Sequence, residues 1–493
     1  MPYGIGREQR ERNTARDGVG AAAYEEWVLR LAPHDPIAKQ PGRTGDYTLN
    51  IEAASDQESM TGAETTAPVS PADKVTEVVE HFFRHESAKM TSTLTRIFGL
   101  EHLNRAEDVV QETLIRALQT WPYYGIPKNP SAWMTQVAKN LALDLIRRDK
   151  IFRNKENEIS HLMEQISADA EIGDSEARPD GIRDDRLRMM FACCHPRIPL
   201  EMQVALALKT LCGFSPAEIG RAFLTSEAAI AKRLTRAKQK IRDARIQFEI
   251  PGKEKLTHRL DGVLQTLYLL FNEGYKASGG EHLIRAELCH EAIRLTALLV
   301  EHPAGNQPQT HALLALMLLN GARLTARLDS EGNILRLEEQ NRSHWDQPMI
   351  ARGLYHLMES TGADQASEYH LQAAIAACHC AAEDYRSTDW PRILALYDQL
   401  IELDDSPIIA LNRAVAVANV HGPRAGIEAV EAIGDLKQLN GYHLLYAVLG
   451  EFEADLNHRE SALRHFRKAL ELATLKSEQL FLTKKIQQLD AAS

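Results

Sequence analysis

Six basic side chains crowd one eleven-residue stretch: Lys232, Arg233, Arg236, Lys238, Lys240 and Arg242, with Glu227 before them and Asp243 after. Ile230, Leu234, Ala237 and Ile241 recur among them at spacings of four, three and four, so a helix would bury these four along one stripe. Arg233, Arg236 and Lys240 then fall on a neighbouring stripe, with Lys232 beside it. A cationic face on a helix is suited to phosphates, which hold the helix while its first turns meet base edges. A solvated basic face on a purely structural helix is the alternative. The preceding residues favour nucleic acid: Ser215 can cap a short helix with Pro216 in its first turn, and Ser226 can cap the basic helix after a turn at Leu224 and Thr225. Two caps at this separation suit a helix-turn-helix.

A second group of polar residues lies upstream. In AEDVVQETLIRALQTW, Val109, Thr113, Leu114 and Leu118 are expected to be buried. Glu107, Asp108, Gln111, Glu112 and Arg116 are left toward solvent or a partner. After WPYYGIPKNP, a helix opening at Asn129 and Pro130 would bury Trp133, Val137, Leu141 and Leu145 and display Gln136, Lys139, Asn140, Arg147 and Arg148.

These elements need a scaffold. The 493 residues exceed one ordinary core, so two or three globular units are expected, with 44% hydrophobic and 25% charged residues. Strand alternation of useful length is missing, so the expected fold class is all-α. Residues 1–73 are rich in charged residues, Gly, Ala, Pro and Thr, and are expected to form a disordered arm, with Met60 as a second possible start. The units expected after it are 74–150, an acidic linker over 151–183, the helix-turn-helix unit over 184–250, and 256–493 beyond Pro251 and Gly252. The last unit is Ala- and Leu-rich. GYHLLYAVLGEFEADLNHRESALRHFRKALELA places Leu449, Gly450, Ala462, Phe466, Ala469 and Leu470 in the tetratricopeptide pattern of large and small residues, which predicts stacked helical pairs.

The net charge of −11 argues against coating of nucleic acid by the whole surface. The first residues lack the apolar core of a secretory signal, so the expected location is cytoplasmic, with no membrane partner. Six cysteines in so long a chain do not suggest a disulfide framework. Cys193, Cys194 and His195, like Cys378, His379 and Cys380, are adjacent residues that diverge on a helix, so buried thiols are expected rather than a metal site. Catalytic and phosphate-loop motifs are absent, and neither an enzyme nor a cofactor is expected.

DVVQET, the aromatic loop and SAWMTQVAKNLALDLIRR together resemble region 2 of extracytoplasmic-function sigma factors, and the helix-turn-helix resembles their region 4. LYLLFNEGY, LNGARLTAR, LRLEEQNRSHWD and YHLQAAIAACH resemble the helical extension of one sigma-factor subgroup. The resemblance implies partners, bacterial core RNA polymerase and promoter DNA, and roles in promoter recognition, melting and initiation. It implies polymerase docking by Asp108, Gln111, Glu112 and Arg116. For the minus-ten element it implies contacts from Tyr123, Tyr124, Lys139, Asn140, Arg147 and Arg148, with Asn140 near a flipped base. For the minus-thirty-five element it implies Ser226, Lys232, Arg233, Arg236 and Lys240. Trp121 falls among the family's aromatic positions but, at a helix end, is expected in the core. Ala231 departs from relatives that carry a base-reading arginine there, so their promoter sequence is not transferable. A regulatory role is expected for the extension, through a partner or ligand. The competing assignment is a helix-turn-helix regulator that binds duplex DNA without being a sigma subunit.

Overall fold

The computed structural model describes residues 87–148, 184–246, 256–277, 283–362 and 366–491, apart from Leu224 and Asp435. The expected arm over 1–73 and acidic linker over 151–183 lie outside the described residues. Within them the chain is helical, with one isolated antiparallel bridge between Leu328 and Ile334.

The first unit comprises α1 (Ser87–Phe98), a 3-10 turn (Leu100–His102), α2 (Leu103–Tyr124) and α3 (Pro130–Arg148). Its core differs from the expected stripes in an instructive way. In α3 the buried residues are Met134, Ala138, Ala142 and Ile146, while Trp133, Leu141 and Leu145 flank them, half-buried. In α2 Leu118 is 43% exposed, and Ala106 and Ala117 are fully buried in its place. The cause is close helix packing: an alanine lets two helix axes approach, so the small residues mark the line of contact and larger ones fill its margins. Trp121 is buried and meets the Trp133 ring edge-to-face at 5.4 Å, which agrees with a core role.

The second unit comprises α4 (Asp185–Cys193), α5 (Leu200–Leu211), α6 (Pro216–Ala222) and α7 (Glu227–Asp243). Eleven further helices follow among the described residues: α8 (Leu260–Tyr275), α9 (Ala286–Glu301), α10 (Pro308–Gly321), α11 (Gln347–Glu359), α12 (Glu368–Ala381), α13 (Trp390–Leu403), α14 (Pro407–His421), α15 (Pro423–Glu431), α16 (His443–Asp455), α17 (Arg459–Leu472) and α18 (Lys476–Ala491). Most pack against their sequence neighbours, and α12 also packs on α10. In the α16–α17 hairpin, Ala462, Phe466 and Ala469 are buried. A methyl group on Gly450 would meet the Phe466 ring at 2.8 Å, so glycine is what lets these helices approach. The last helix returns to the first, since Glu478 of α18 pairs with Lys276 after α8 at 3.1 Å and with His443 at 3.0 Å.

One apolar core, which also takes in Leu100 and Leu103 of the first unit, runs from the second unit into the extension as far as Ala416, without a boundary near residue 250. The expected division there is a break in composition and not in packing. Arg259 sends its guanidinium to the Phe191 carbonyl at 2.7 Å. A methyl on Gly262 of α8 would lie 2.9 Å from the Cys194 sulfur. Three ion pairs flank this contact: Arg186 to Glu291 at 2.6 Å, Arg294 to Asp184 at 2.9 Å and Arg285 to Glu218 at 3.2 Å.

The extension also holds histidines as neutral rings, His311 and His370 buried and His356 and His379 half-buried. Burial and the neighbouring His311 and Arg352 push His356 down to about 3; burial with Arg323 and Arg342 does the same to His379; burial takes His370 to about 4. His311 and His356 face each other with Nδ1 atoms 3.0 Å apart, so one ring can donate to the other only while the pair holds at most one extra proton. The unfolded chain binds these protons near pH 6.5. Stability from these rings is therefore complete above that pH and lost progressively as pH falls toward 4. The melting temperature is expected to decline between pH 7 and pH 5, before carboxylates titrate; a flat profile over that interval would contradict the burial of neutral imidazoles.

Candidate nucleic-acid and polymerase interfaces

The helix-turn-helix is held by local bonds that its sequence specifies. Ser215 accepts from the Glu218 N–H at 3.2 Å, and Glu218 reaches back to accept from the Ser215 N–H at 2.7 Å. Ser226 accepts from the Ala229 N–H at 3.3 Å. Between the two helices, Gly220 lies under the turn: a methyl there would meet the Thr225 carbonyl oxygen at 2.9 Å, so a side chain would push α7 away. The reciprocal bonds with Ser215, and Arg285 beside it, hold the Glu218 carboxyl below its usual range despite the opposing effect of burial.

In α7 the apolar stripe Ile230, Leu234, Ala237 and Ile241 is buried as expected. Lys232, Arg236 and Lys240 are exposed on the opposite face, and Ser226 is exposed at the helix start with its oxygen already used as the cap. Arg233 is placed differently. It pairs with Glu201 of α5 at 3.1 Å and lies 5.8 Å from the Phe223 ring centre, so it ties α7 to the body of the unit. Lys238, on the other flank of α7, pairs with Glu107 of α2 at 2.6 Å. At 100° per residue Arg233 lies about 60° from Arg236, while Lys238 lies across the helix from it, and each borders the buried stripe.

In the first unit, Tyr123 and Tyr124 end α2 with 85% and 87% of their surfaces exposed, although only Pro122 separates them from the buried Trp121. Asn129 caps α3 by accepting from the Ala132 N–H at 3.0 Å. Asn140 is exposed and its side-chain oxygen accepts from Gln136 at 3.1 Å, which leaves the amide N–H groups outward. Lys139 is half-buried beside it, and Arg147 lies on the same face as Asn140, 3.9 Å from Asp144. The side chain of Arg148 lies outside the described residues.

The outer face of α2 carries exposed Asp108 and Gln111, with Glu112 and Arg116 joined to each other at 3.0 Å. This pair is half in water and adds little to stability. Ile115, 46% exposed, sits in the middle of these polar residues, and Leu118, which the periodicity places in the core, is exposed on their flank. Reasoning from sequence singled out neither as an exposed apolar residue. The signal was available in Ala117, whose small size marks the true core position next to Leu118.

The cysteines are free thiols: Cys193, Cys194, Cys289 and Cys378 are buried, Cys212 and Cys380 partly so. Burial pushes Cys194, Cys212, Cys289 and Cys378 up to about 12, against thiolate chemistry. Among the described residues no cluster of three His, Cys, Asp or Glu side chains could hold a metal ion, and no helix is long and apolar enough to cross a membrane.

An all-helical unit with an exposed aromatic and amide face, joined to a capped helix-turn-helix with a cationic outer face, fits a protein of the sigma-subunit class. The comparisons agree. Residues 82–151 match Sigma-70 region 2, residues 188–241 match Sigma-70 region 4, and residues 259–361 match a family of unknown function, DUF6596. The chain is 30% identical over 139 residues to the ECF RNA polymerase sigma factor SigL of Mycobacterium tuberculosis, covering 28% of this chain and 73% of that protein. It is 26% identical over 166 residues to SigE of Mycolicibacterium smegmatis, covering 33% and 60% of the respective chains. An uncharacterised protein of Rhizobium meliloti is 40% identical over 395 residues, covering 79% of this chain and 91% of that one. No solved structure matches. The chain belongs to the extracytoplasmic-function family of RNA polymerase sigma factors and carries a C-terminal helical domain of unknown function; its role is that of a sigma factor and not of an enzyme.

Proposed function

We propose that this sigma factor binds core RNA polymerase through the outer face of α2, reads and melts the minus-ten element with α3 and the end of α2, and reads the minus-thirty-five element with α7. The observation that carries this reading is the outward cationic face of α7, with Lys232, Arg236 and Lys240 exposed and the helix start capped by Ser226. Phosphates would hold the helix, as major-groove docking requires. Tyr123 and Tyr124 offer rings to unpaired bases, each stack contributing about 1–3 kcal/mol toward strand opening. Asn140 offers an amide to a base edge. Arg147, exposed on the same face, would meet a phosphate.

Ile115, inside the ring of Asp108, Gln111 and Glu112, would supply the apolar centre of the polymerase contact, the usual anatomy of an interface with a polar rim. The hairpin of α16 and α17, with Gly450 against Phe466, supports a tetratricopeptide-like stack. Such a stack suits a regulatory partner or ligand and would modulate the sigma activity.

Run-off transcription with purified bacterial core polymerase and the full chain tests the main reading: specific transcripts are expected. If none start while the chain alone holds duplex promoter DNA tightly, the protein is instead a helix-turn-helix regulator. Asn140→Ala is expected to change which minus-ten bases support initiation by about tenfold, a bidentate contact being worth roughly 1–3 kcal/mol, with core binding retained. Loss of core affinity in that variant would place Asn140 on the polymerase face.

A further inference from the structure

We infer that the extension holds a binding site for a small oxyanion, a phosphate or a carboxylate, built on Arg323, Trp345 and Arg342. The inference deepens the regulatory reading of the extension and rests on it for any effect on transcription. All three residues follow α10 and lie within the matched residues 259–361. The 3-10 turns Leu324–Ala326 and Arg342–His344 pack against each other and bring them together. Trp345 is 3% exposed, and the guanidinium carbons of Arg323 and Arg342 lie 5.0 Å and 5.1 Å from its ring centre.

The two arginines have different work. Arg342 is a clamp on α12 and the loop after it: Nη1 donates to the His379 carbonyl at 2.6 Å and the Ala382 carbonyl at 2.7 Å, and Nη2 to the Thr388 hydroxyl at 2.9 Å. Arg323 makes no side-chain hydrogen bond or ion pair among the described residues, and its Nε is buried without a partner. The indole Nε1 of Trp345 is likewise buried and unpartnered. Both of these nitrogens only donate, so what suits them is an acceptor. The charges point the same way, since a guanidinium out of water is stabilised by an opposite charge. Among the described residues neither guanidinium has a carboxylate at ion-pairing distance, and Asp384, whose charge Arg342 feels, is engaged by the Ser387 N–H at 2.7 Å. Burial and then the charge of Arg323 hold Arg342 below its ordinary value, and burial with the same two cations keeps the His379 ring neutral, its Nδ1 unpartnered. A carbonyl would satisfy the donors and leave the charge, whereas an oxyanion answers both, and a guanidinium fork fits two of its oxygens. Because Trp345 is buried and both arginines are half-buried, the place suits a small anionic group and not a duplex backbone.

The site is joined to region 4 through the fold. Arg327, one turn after Arg323, donates to the Tyr275 carbonyl at the end of α8 and lies 3.8 Å from the centre of the Tyr275 ring. Helix α8 packs on α4 and α5, and Trp345 belongs to the apolar core that region 4 shares. An anion held by Arg323 would act on the segment anchored to that helix.

The test is the melting temperature of the full chain titrated with inorganic phosphate or with citrate, against sodium chloride at matched ionic strength. At least one of the two anions is expected to raise it, since a ligand of the folded state stabilises that state, and the one effective at lower concentration identifies the charged group. Arg323→Met should raise the concentration needed for the same shift by about tenfold to a hundredfold, the scale of a charge-assisted hydrogen bond. Trp345→Phe keeps a ring for the arginines and removes only the N–H, so it should raise that concentration by about fivefold, and it carries the test alone if Arg323→Met does not fold. The site is overturned if neither anion does more than sodium chloride, if the folded variants respond as the unaltered chain does, or if only duplex DNA gives the shift. Run-off transcription with core polymerase separates the two readings. Anion binding that leaves transcript yield unchanged supports the site and overturns the regulatory role alone.

Discussion

A chain ended after Ile250 is expected to lose its folded helix-turn-helix, although every residue of Sigma-70 region 4 matched here is retained. Removing α8 uncovers the part of region 4 around Cys194 and Gln203 that Gly262 approaches so closely. It strips the Phe191 carbonyl of its buried guanidinium donor from Arg259. Arg186, Asp184 and Glu218 lose Glu291, Arg294 and Arg285. The polar losses are secondary, since those pairs are partly wet. The apolar loss decides the outcome. Leu260, Val263, Leu264 and Leu267 of α8 are nearly fully buried, and the surfaces they cover would face water in the shortened chain. At about 1.5–3 kcal/mol for each large side chain returned to water, a few such exposures match the roughly 5–15 kcal/mol by which a domain is stable. Thermal unfolding followed by circular dichroism should show a cooperative transition for the full chain. For the shortened chain it should show a broad or absent transition over residues 184–250. A sharp transition at an unchanged temperature would mean that region 4 folds independently of the extension.

Reversing the three outward cations of α7 together, as Lys232→Glu, Arg236→Glu and Lys240→Glu, is expected to weaken promoter binding by the holoenzyme by on the order of 100-fold near physiological salt. Each lost phosphate contact forfeits the counterions it released, and the dependence of log K on log salt should flatten by about 0.9 per contact. The three new carboxylates add repulsion to that loss. The fold should tolerate the change, because all three side chains are exposed and none belongs to the buried stripe. Arg233→Glu makes an instructive contrast. Its guanidinium sits on Glu201 and over Phe223, so reversal should lower the melting temperature of region 4. Salt titrations of promoter binding, read beside melting curves, separate the two kinds of arginine. Equal effects from Arg233 and Arg236 in both measurements would show that Arg233 leaves Glu201 to meet DNA.

What was legible in the sequence was local. Ser215, Glu218 and Ser226 declare the two caps because the bonds they make span three residues. The stripe Ile230, Leu234, Ala237 and Ile241 follows from helical period alone. The motifs of regions 2 and 4 were likewise readable, since they are contiguous. In α2 Val109, Thr113 and Leu114 are buried as read, but Leu118 and the buried line of α3 were misplaced because periodicity rewards large apolar residues, whereas close packing places alanines such as Ala117, Ala138 and Ala142 at the contact. Which basic residues of α7 face outward was decided only by tertiary structure. Lys238 and Arg233 are chemically equivalent to Lys240 and Arg236 in the sequence, and they differ because Glu107 and Glu201 arrive beside them from distant segments. The continuity of region 4 with the extension has the same origin. Pro251 and Gly252 mark a break in composition, while burial depends on what the chain brings back to the same place, here α8 against α4 and α5.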